Sequence, residues 1–211
     1  MVKNIAVHVG KKRAGQGQGT QKALVRQMIR GALVSVQETK VRNTLLTGQT
    51  AAIAGTVWAI TQGIVQGDTI SQRSGSVIVV KKLGVSLNAF ITTVTAALRV
   101  IVVSDTHANS AIPTVSDVLD SASYLAGRNG INIQNKRFNF LYDRRHSMCA
   151  GGSNQQLSLE LDFPLRTRVA YTGTTDVAAA NGTNSFYFII LADTAALVTY
   201  SFNFHMQYTD S

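Results

Sequence analysis

The stretch Val198-Thr199-Tyr200-Ser201-Phe202-Asn203-Phe204-His205-Met206-Gln207-Tyr208-Thr209 decides the fold. Val198, Tyr200, Phe202, Phe204, Met206 and Tyr208 fall on one side of an extended chain, and the small polar residues between them fall on the other. Twelve residues at period two without a slip is the signature of a strand with one buried face. Leu157, Leu159, Leu161, Phe163 and Leu165 alternate in the same way with Ser158, Glu160, Asp162 and Pro164, and the proline places that strand at an edge or a bend. Leu83, Val85, Leu87 and Ala89 close a longer strand that starts near Val77. Further strands read at Leu33–Arg42, Ala97–Asp105, Arg137–Ser147 and Phe186–Leu191, with a weaker one near Arg168–Thr172.

Valine, isoleucine and threonine number 22, 14 and 21 among 211 residues, a strong enrichment in strand formers. Eight strands separated by Gly, Asn, Ser and Thr loops, with almost no helix, fit an antiparallel sandwich or barrel. The body's one helical signal is Pro113-Thr114-Val115-Ser116-Asp117-Val118-Leu119-Asp120. Pro113 suits the first helical position, and Val115, Val118 and Leu119 share a face. This segment reads as a loop insertion rather than a layer of the fold. No internal repeat or second domain is visible.

The charge is distributed unevenly. Residues 1–37 carry Lys3, Lys11, Lys12, Arg13, Lys22, Arg26 and Arg30 and no acid, which leaves 13 of the 20 cations and all 11 acids to the other 174 residues. Most of the formal +9 therefore sits on one end, around the low-complexity run Gly15-Gln16-Gly17-Gln18-Gly19. Residues 1–31 read as a basic, largely disordered arm with a short helix at 20–30, and residues 32–211 as the folded body. In that helix Thr20 is the cap and Gly31 the stop, and Lys22, Arg26 and Arg30 form one stripe. It would form on phosphate, on copies of itself, or docked on the body. A loose cationic tail on a nearly neutral body is the electrostatic footprint of a polyanion binder. A solubilising tail without a partner is the alternative. Only 15% of residues are charged against about 25% in an ordinary soluble domain, which points to a body surface occupied by neighbours.

Signals for catalysis are poor, and no cofactor is indicated. The glycines at 15, 17 and 19 do not make a dinucleotide fingerprint, because Thr20 stands where the third glycine belongs and no strand precedes it. No P-loop lysine and no nucleophile elbow are present. His8, His107, His146 and His205 lack metal-ligand spacing. Asp105, His107 and Asp117 could meet and hold a cation, or be ordinary solvated loop residues. His205 reads as a surface or interface group and the lone Cys149 as a plain thiol. Asn181-Gly182-Thr183 spells a glycosylation sequon, but no secretory signal is read at the N-terminus. The longest apolar run, Val94–Val103, is broken by Arg99, so neither a span nor a membrane partner is expected.

Several segments in order carry a resemblance: Gly67-Asp68, then Arg73-Ser74-Gly75 and a Val/Ile strand reaching Lys82, then Arg99–Asp105, Pro113–Leu119 and Arg137-Phe138-Asn139-Phe140-Leu141-Tyr142-Asp143. With the basic arm and the aromatic last strand, the series resembles capsid proteins of small circular Rep-encoding single-stranded DNA viruses. More narrowly it is similar to the branch allied to the satellite tobacco necrosis virus coat protein, over residues 32–209. The resemblance implies a single jelly roll of two four-stranded sheets with strands B to I, assembled as a 60-subunit T = 1 shell with the arm inside. By position it makes Pro113–Leu119 the helix between strands D and E, and Arg137–Asp143 strand E. The implied partners are further copies of the chain and a single-stranded DNA genome, with RNA the other option because satellite RNA viruses share this architecture. The implied setting is the virion, with assembly in the host nucleus or cytoplasm; Lys11-Lys12-Arg13 could serve as an import signal, and the residues identify no host receptor. Arg144 and Arg145, with His146, could add to the inner wall, or face solvent or a neighbouring subunit. The rival reading is a non-viral single-stranded nucleic-acid-binding β-barrel, which would stack bases on exposed aromatics. A jelly-roll enzyme or lectin is a weaker third.

Overall fold

The computed structural model describes residues 22–28, 38–91, 95–107, 110–151, 155–175, 177, 181–194 and 198–211. The chain divides into two units, Met1–Gln37 and Glu38–Ser211. In the first, residues 22–28 are helical.

The second unit contains β1 (Lys40–Thr50), β2 (Thr56–Ala59), β3 (Val77–Ile91), β4 (Ala96–Asp105), the short helices α1 (Val115–Val118) and α2 (Gly130–Gln134), β5 (Phe138–Met148), β6 (Gln156–Ala170), β7 (Ser185–Ala192) and β8 (Val198–Asp210). One sheet has the order β1-β8-β3-β6 and the other β2-β7-β4-β5. Every pairing is antiparallel, and the pairs β1/β8, β2/β7, β3/β6 and β4/β5 nest first with last. That is a long hairpin rolled up, the jelly roll that the resemblance implied. In chain order the strands are B to I, giving sheets B-I-D-G and C-H-E-F.

The last strand behaves as its alternation predicts: Val198, Tyr200, Phe202, Phe204, Met206 and Tyr208 are buried between the sheets. Phe202 packs on Phe188 at 5.1 Å between centroids and on Trp58 at 5.4 Å, and Trp58 Nε1 donates to Tyr200 Oη at 3.2 Å. In β3 the buried positions change parity, from Ile78 and Val80 to Leu83, Val85, Leu87, Ala89 and Ile91. The register slips between Val80 and Lys82, so Lys81 is an extra residue that turns the following side chains over. Pro164 lies opposite Lys82, beside the matching slip in β6, and β6 is an edge strand, as the proline required.

Three expectations need correction. The strand β2 was not legible, whereas the segment read near Arg168–Thr172 is the end of β6, which runs through Ala170. Of the first strand expected over Leu33–Arg42, residues 40–42 open β1, 38 and 39 are not in a strand, and residues 33–37 lie outside the described ones. With β2 as strand C, the lettering moves by one: Pro113–Leu119 follows strand E and precedes F, and the strand at Phe138 is F.

The helix at Val115 also starts differently. Thr114, not Pro113, borders it, since its side chain accepts the Asp117 N–H while the Asp117 carboxylate accepts the Thr114 N–H at 2.7 Å. This reciprocal cap satisfies two otherwise orphaned donors. Val115, Val118 and Leu119 share a face as expected, and they bury against Ile101, Val103, Tyr187, Ile189 and Leu191 on the outer side of the C-H-E-F sheet. The insertion is thus a partial third layer with a small core of its own.

Candidate nucleic-acid interface and body surfaces

Of the arm cations, Lys3, Lys11, Lys12, Arg13 and Arg30 lie outside the described residues. Lys22 and Arg26 stand four apart on the helical segment 22–28 and so share one stripe, with Leu24 and Met28 on another side.

Arg144 and Arg145 are both exposed in the body. They are consecutive on β5 and project to opposite sides of the sheet. Arg145 pairs across from Arg99, lies 5.6 Å from the Tyr124 ring centroid, and donates from Nη2 to the Leu125 carbonyl at 3.2 Å. Arg144 pairs across from Val100, whose side chain belongs to the core between the sheets. On that side Tyr142 Oη lies 3.1 Å from His146 Nε2. Burial, with the Arg144 charge, holds His146 below its usual value.

The outer side of C-H-E-F carries an ion network that the sequence marked only by one misplaced charge. Arg99, 3% exposed, sits in the apolar run of β4. A buried cation needs partners, and it has them: Nε and Nη2 donate to the two Asp143 oxygens at 2.8 and 3.1 Å, and Nη1 donates to the carbonyls of Ala126 and Tyr124. Arg128 Nε donates to Asp143 Oδ2 at 2.8 Å and its guanidinium lies over Phe140. Burial raises the Asp143 carboxyl, but hydrogen bonds and charge from Arg99 and Arg128 outweigh this and hold it below the ordinary carboxylate range.

Asp105 and Asp117 do come together, but around a guanidinium. Arg137 Nη2 lies 3.0 Å from Asp105 and Nη1 3.7 Å from Asp117, while His107 meets Asp105 through its backbone N–H. Among the described residues no group of three metal-ligating side chains occurs. His205 lies on the polar face as expected, with Nδ1 2.7 Å from Asn43 Oδ1. Cys149 is exposed. Asn181 is 2% exposed, so the sequon is not presented to solvent.

Among the described residues the outer side of B-I-D-G shows no such network. Across it run Asn43, His205, Gly84 and Asp162 in one row, and Leu45, Asn203, Ser86 and Glu160 in the next. Ser86 Oγ donates to Glu160 at 2.6 Å, and Lys82 meets Asp162 at 3.0 Å. At one corner the first strand is pinned to the last. The Lys40 ammonium, itself buried, lies 2.8 Å from Asp210 Oδ2 and donates to the Gln72 carbonyl. Ser74 donates to the same carboxylate from both its N–H and its hydroxyl. Next to Ser74, Arg73 is fully buried; it donates to the carbonyls of Ile64, Gly75 and Gly173 and stacks over Tyr171.

Known proteins align with this chain as coat proteins. A profile described as satellite tobacco necrosis virus coat protein matches residues 10–211. The coat protein of Maize white line mosaic Satellite virus is 33% identical over 182 residues, 85% of this chain and 84% of that one. The capsid protein of Satellite tobacco necrosis virus 1 is 32% identical over 165 residues, 78% of this chain and 82% of its own. Among solved structures, desmodium yellow mottle tymovirus aligns at 8% identity and a TM-score of 0.38, covering 82% of this chain and 88% of its own. Turnip yellow mosaic virus aligns at 12% identity and 0.37, covering 82% and 94%. The relatives are structural proteins of virions and not enzymes. The expectation of a circular Rep-encoding single-stranded DNA virus capsid gives way to the satellite viruses, and the chain belongs to the satellite tobacco necrosis virus coat protein family.

Proposed function

We propose that the body of this coat protein tiles into a T = 1 shell of 60 copies and that its basic arm holds a single-stranded nucleic acid. The observation that carries the packaging half is the charge division, seven cations and no acid in residues 1–37. Sixty such arms would bring about 420 positive charges into the lumen, enough to offset a comparable number of phosphates. Lysine and arginine on phosphate read no base edge, so the cargo contact is tolerant of sequence. The satellite-virus relatives favour RNA over DNA as that cargo. The rival single-strand binder loses its stacking platform, because Phe186, Phe188, Phe202 and Phe204 are all buried in the body. Among the described residues no helix is long and apolar enough to cross a membrane. The virion is its destination, and assembly in the host cytoplasm or nucleus precedes it.

Electron microscopy of the purified full chain tests the shell, with uniform small spheres expected; monomers across wide ranges of salt and pH would refute it. Deleting residues 1–30 should leave shells whose absorbance ratio shows little nucleic acid. Full cargo in the truncated particles would refute the arm's role, and ribonuclease or deoxyribonuclease digestion of extracted cargo separates RNA from DNA.

A further inference from the structure

The short helix α2 is built inside out. A surface helix normally turns its apolar residues to the protein and its polar ones to water. Here Asn129 and Asn132 turn to the protein, while Asn135 at the end of the helix is exposed. Asn129 caps the helix by accepting the N–H groups of Ile131 and Asn132 at 3.1 and 3.3 Å, and its Nδ2 donates to the Ser116 carbonyl. Asn132 Nδ2 donates to the Asp117 carbonyl at 2.6 Å. Ile131 and Ile133, on either side of Asn132, point away and are 73% and 47% exposed. The helix buries no residue of its own within the body. Its hydrogen bonds therefore hold two isoleucines outward in a fixed place.

We infer that α2 is a contact site for a second copy of this chain. The inference rests on the shell proposed above and deepens it by naming a surface. Two further observations favour a copy over a foreign partner. From Asn129 to Asn135 there is no charge, between Arg128 on one side and Lys136 on the other. A neutral patch can repeat around a symmetry axis without like charges facing each other. The patch is also small. A stable binary complex buries about 800 Å² per partner, far more than two isoleucines offer, whereas a shell subunit sums several modest contacts.

The test uses the full chain with Ile131→Asp and Ile133→Asp together, compared with wild type by sedimentation velocity and electron microscopy. Wild type should form shells, and the variant should keep its circular dichroism and urea midpoint while its assembly threshold rises about tenfold or more. Variant shells at the wild-type threshold overturn the inference and leave the shell intact. Wild type that never assembles overturns the shell reading and this inference with it. Should the aspartate pair unfold, the Ile131→Ser, Ile133→Ser pair is scored by the same readout. Hydroxyl-radical footprinting of wild type gives an independent reading: Ile131 protected in shells supports the contact, and equal oxidation in shells and dissociated subunits overturns it.

Discussion

The two sheets share one core and differ on their outer sides. In B-I-D-G the strands alternate, and β6 reads exposed, half-buried, exposed along nearly its whole length. In C-H-E-F, β7 is buried at all eight positions and β4 at nine of ten. One sheet is therefore covered once and the other twice, by the core and by the 113–137 insertion. The difference teaches where this fold keeps its polar interior. A doubly covered strand can hold a charge only if it is paired, and Arg99 with Asp143 meets that condition. A singly covered strand can carry charges freely, as β6 does.

The comparison breaks most sharply at its carboxylates. Asp143→Ala leaves Arg99 buried without its counter-charge and should cost about 3–5 kcal/mol by urea unfolding. Asp162→Ala removes an exposed pair with Lys82 and should cost about 1 kcal/mol or less. Equal costs would mean that the insertion does not exclude water from β4. Next come the outer apolar positions. Ile189→Ala, at 0% exposure, should lose about 2–5 kcal/mol, and Leu45→Ala, at 68%, should stay within about 0.5 kcal/mol.

The smallest effect is the dependence on acid. Burial pushes the Asp210 carboxyl up, but hydrogen bonds from Lys40 and Ser74 and the Lys40 charge hold it below its unfolded value of 3.8. The folded carboxyl thus takes a proton less readily than the unfolded one. Its contribution is fully present above pH 3.8 and fades as pH falls through the lower folded value. Asp210→Asn takes the counter-charge from the buried Lys40 ammonium but keeps an acceptor for it, so it should lower stability by about 1–3 kcal/mol at neutral pH and flatten the stability curve below pH 3.8. An unchanged acid limb would assign that sensitivity elsewhere, with Asp143 the first candidate.

The contrast between the sheets also explains what could be read from residues alone. Strand β8 was legible because one covered face imposes alternation, and β4 and β7 were legible as apolar runs. Strand β2 was not, because Thr56-Val57-Trp58-Ala59 is too short to show a period and is placed by its pairing to β7. Residues 157–165 and 168–170 both belong to β6, whose register slip splits its pattern in two. Arg99 announced itself as a charge in an apolar run, but its partner lies 44 positions away and local pattern cannot find it. Arg144 and Arg145, read together as additions to an inner wall, project to opposite sides of β5, a two-sidedness that adjacency in sequence hides. The inverted helix left no sign at all, since Asn129-Gly130-Ile131-Asn132-Ile133 spells neither amphipathic face without knowing which way it docks.

The Lys40–Asp210 pin has a consequence for anyone engineering this protein. Lys40 pairs in register with Tyr208, so the polypeptide enters and leaves the sandwich at one corner. An extension grafted after Ser211 would begin beside the start of β1, at the corner where Lys40 meets Asp210. A peptide meant for display away from that corner would have to be spliced into a loop instead.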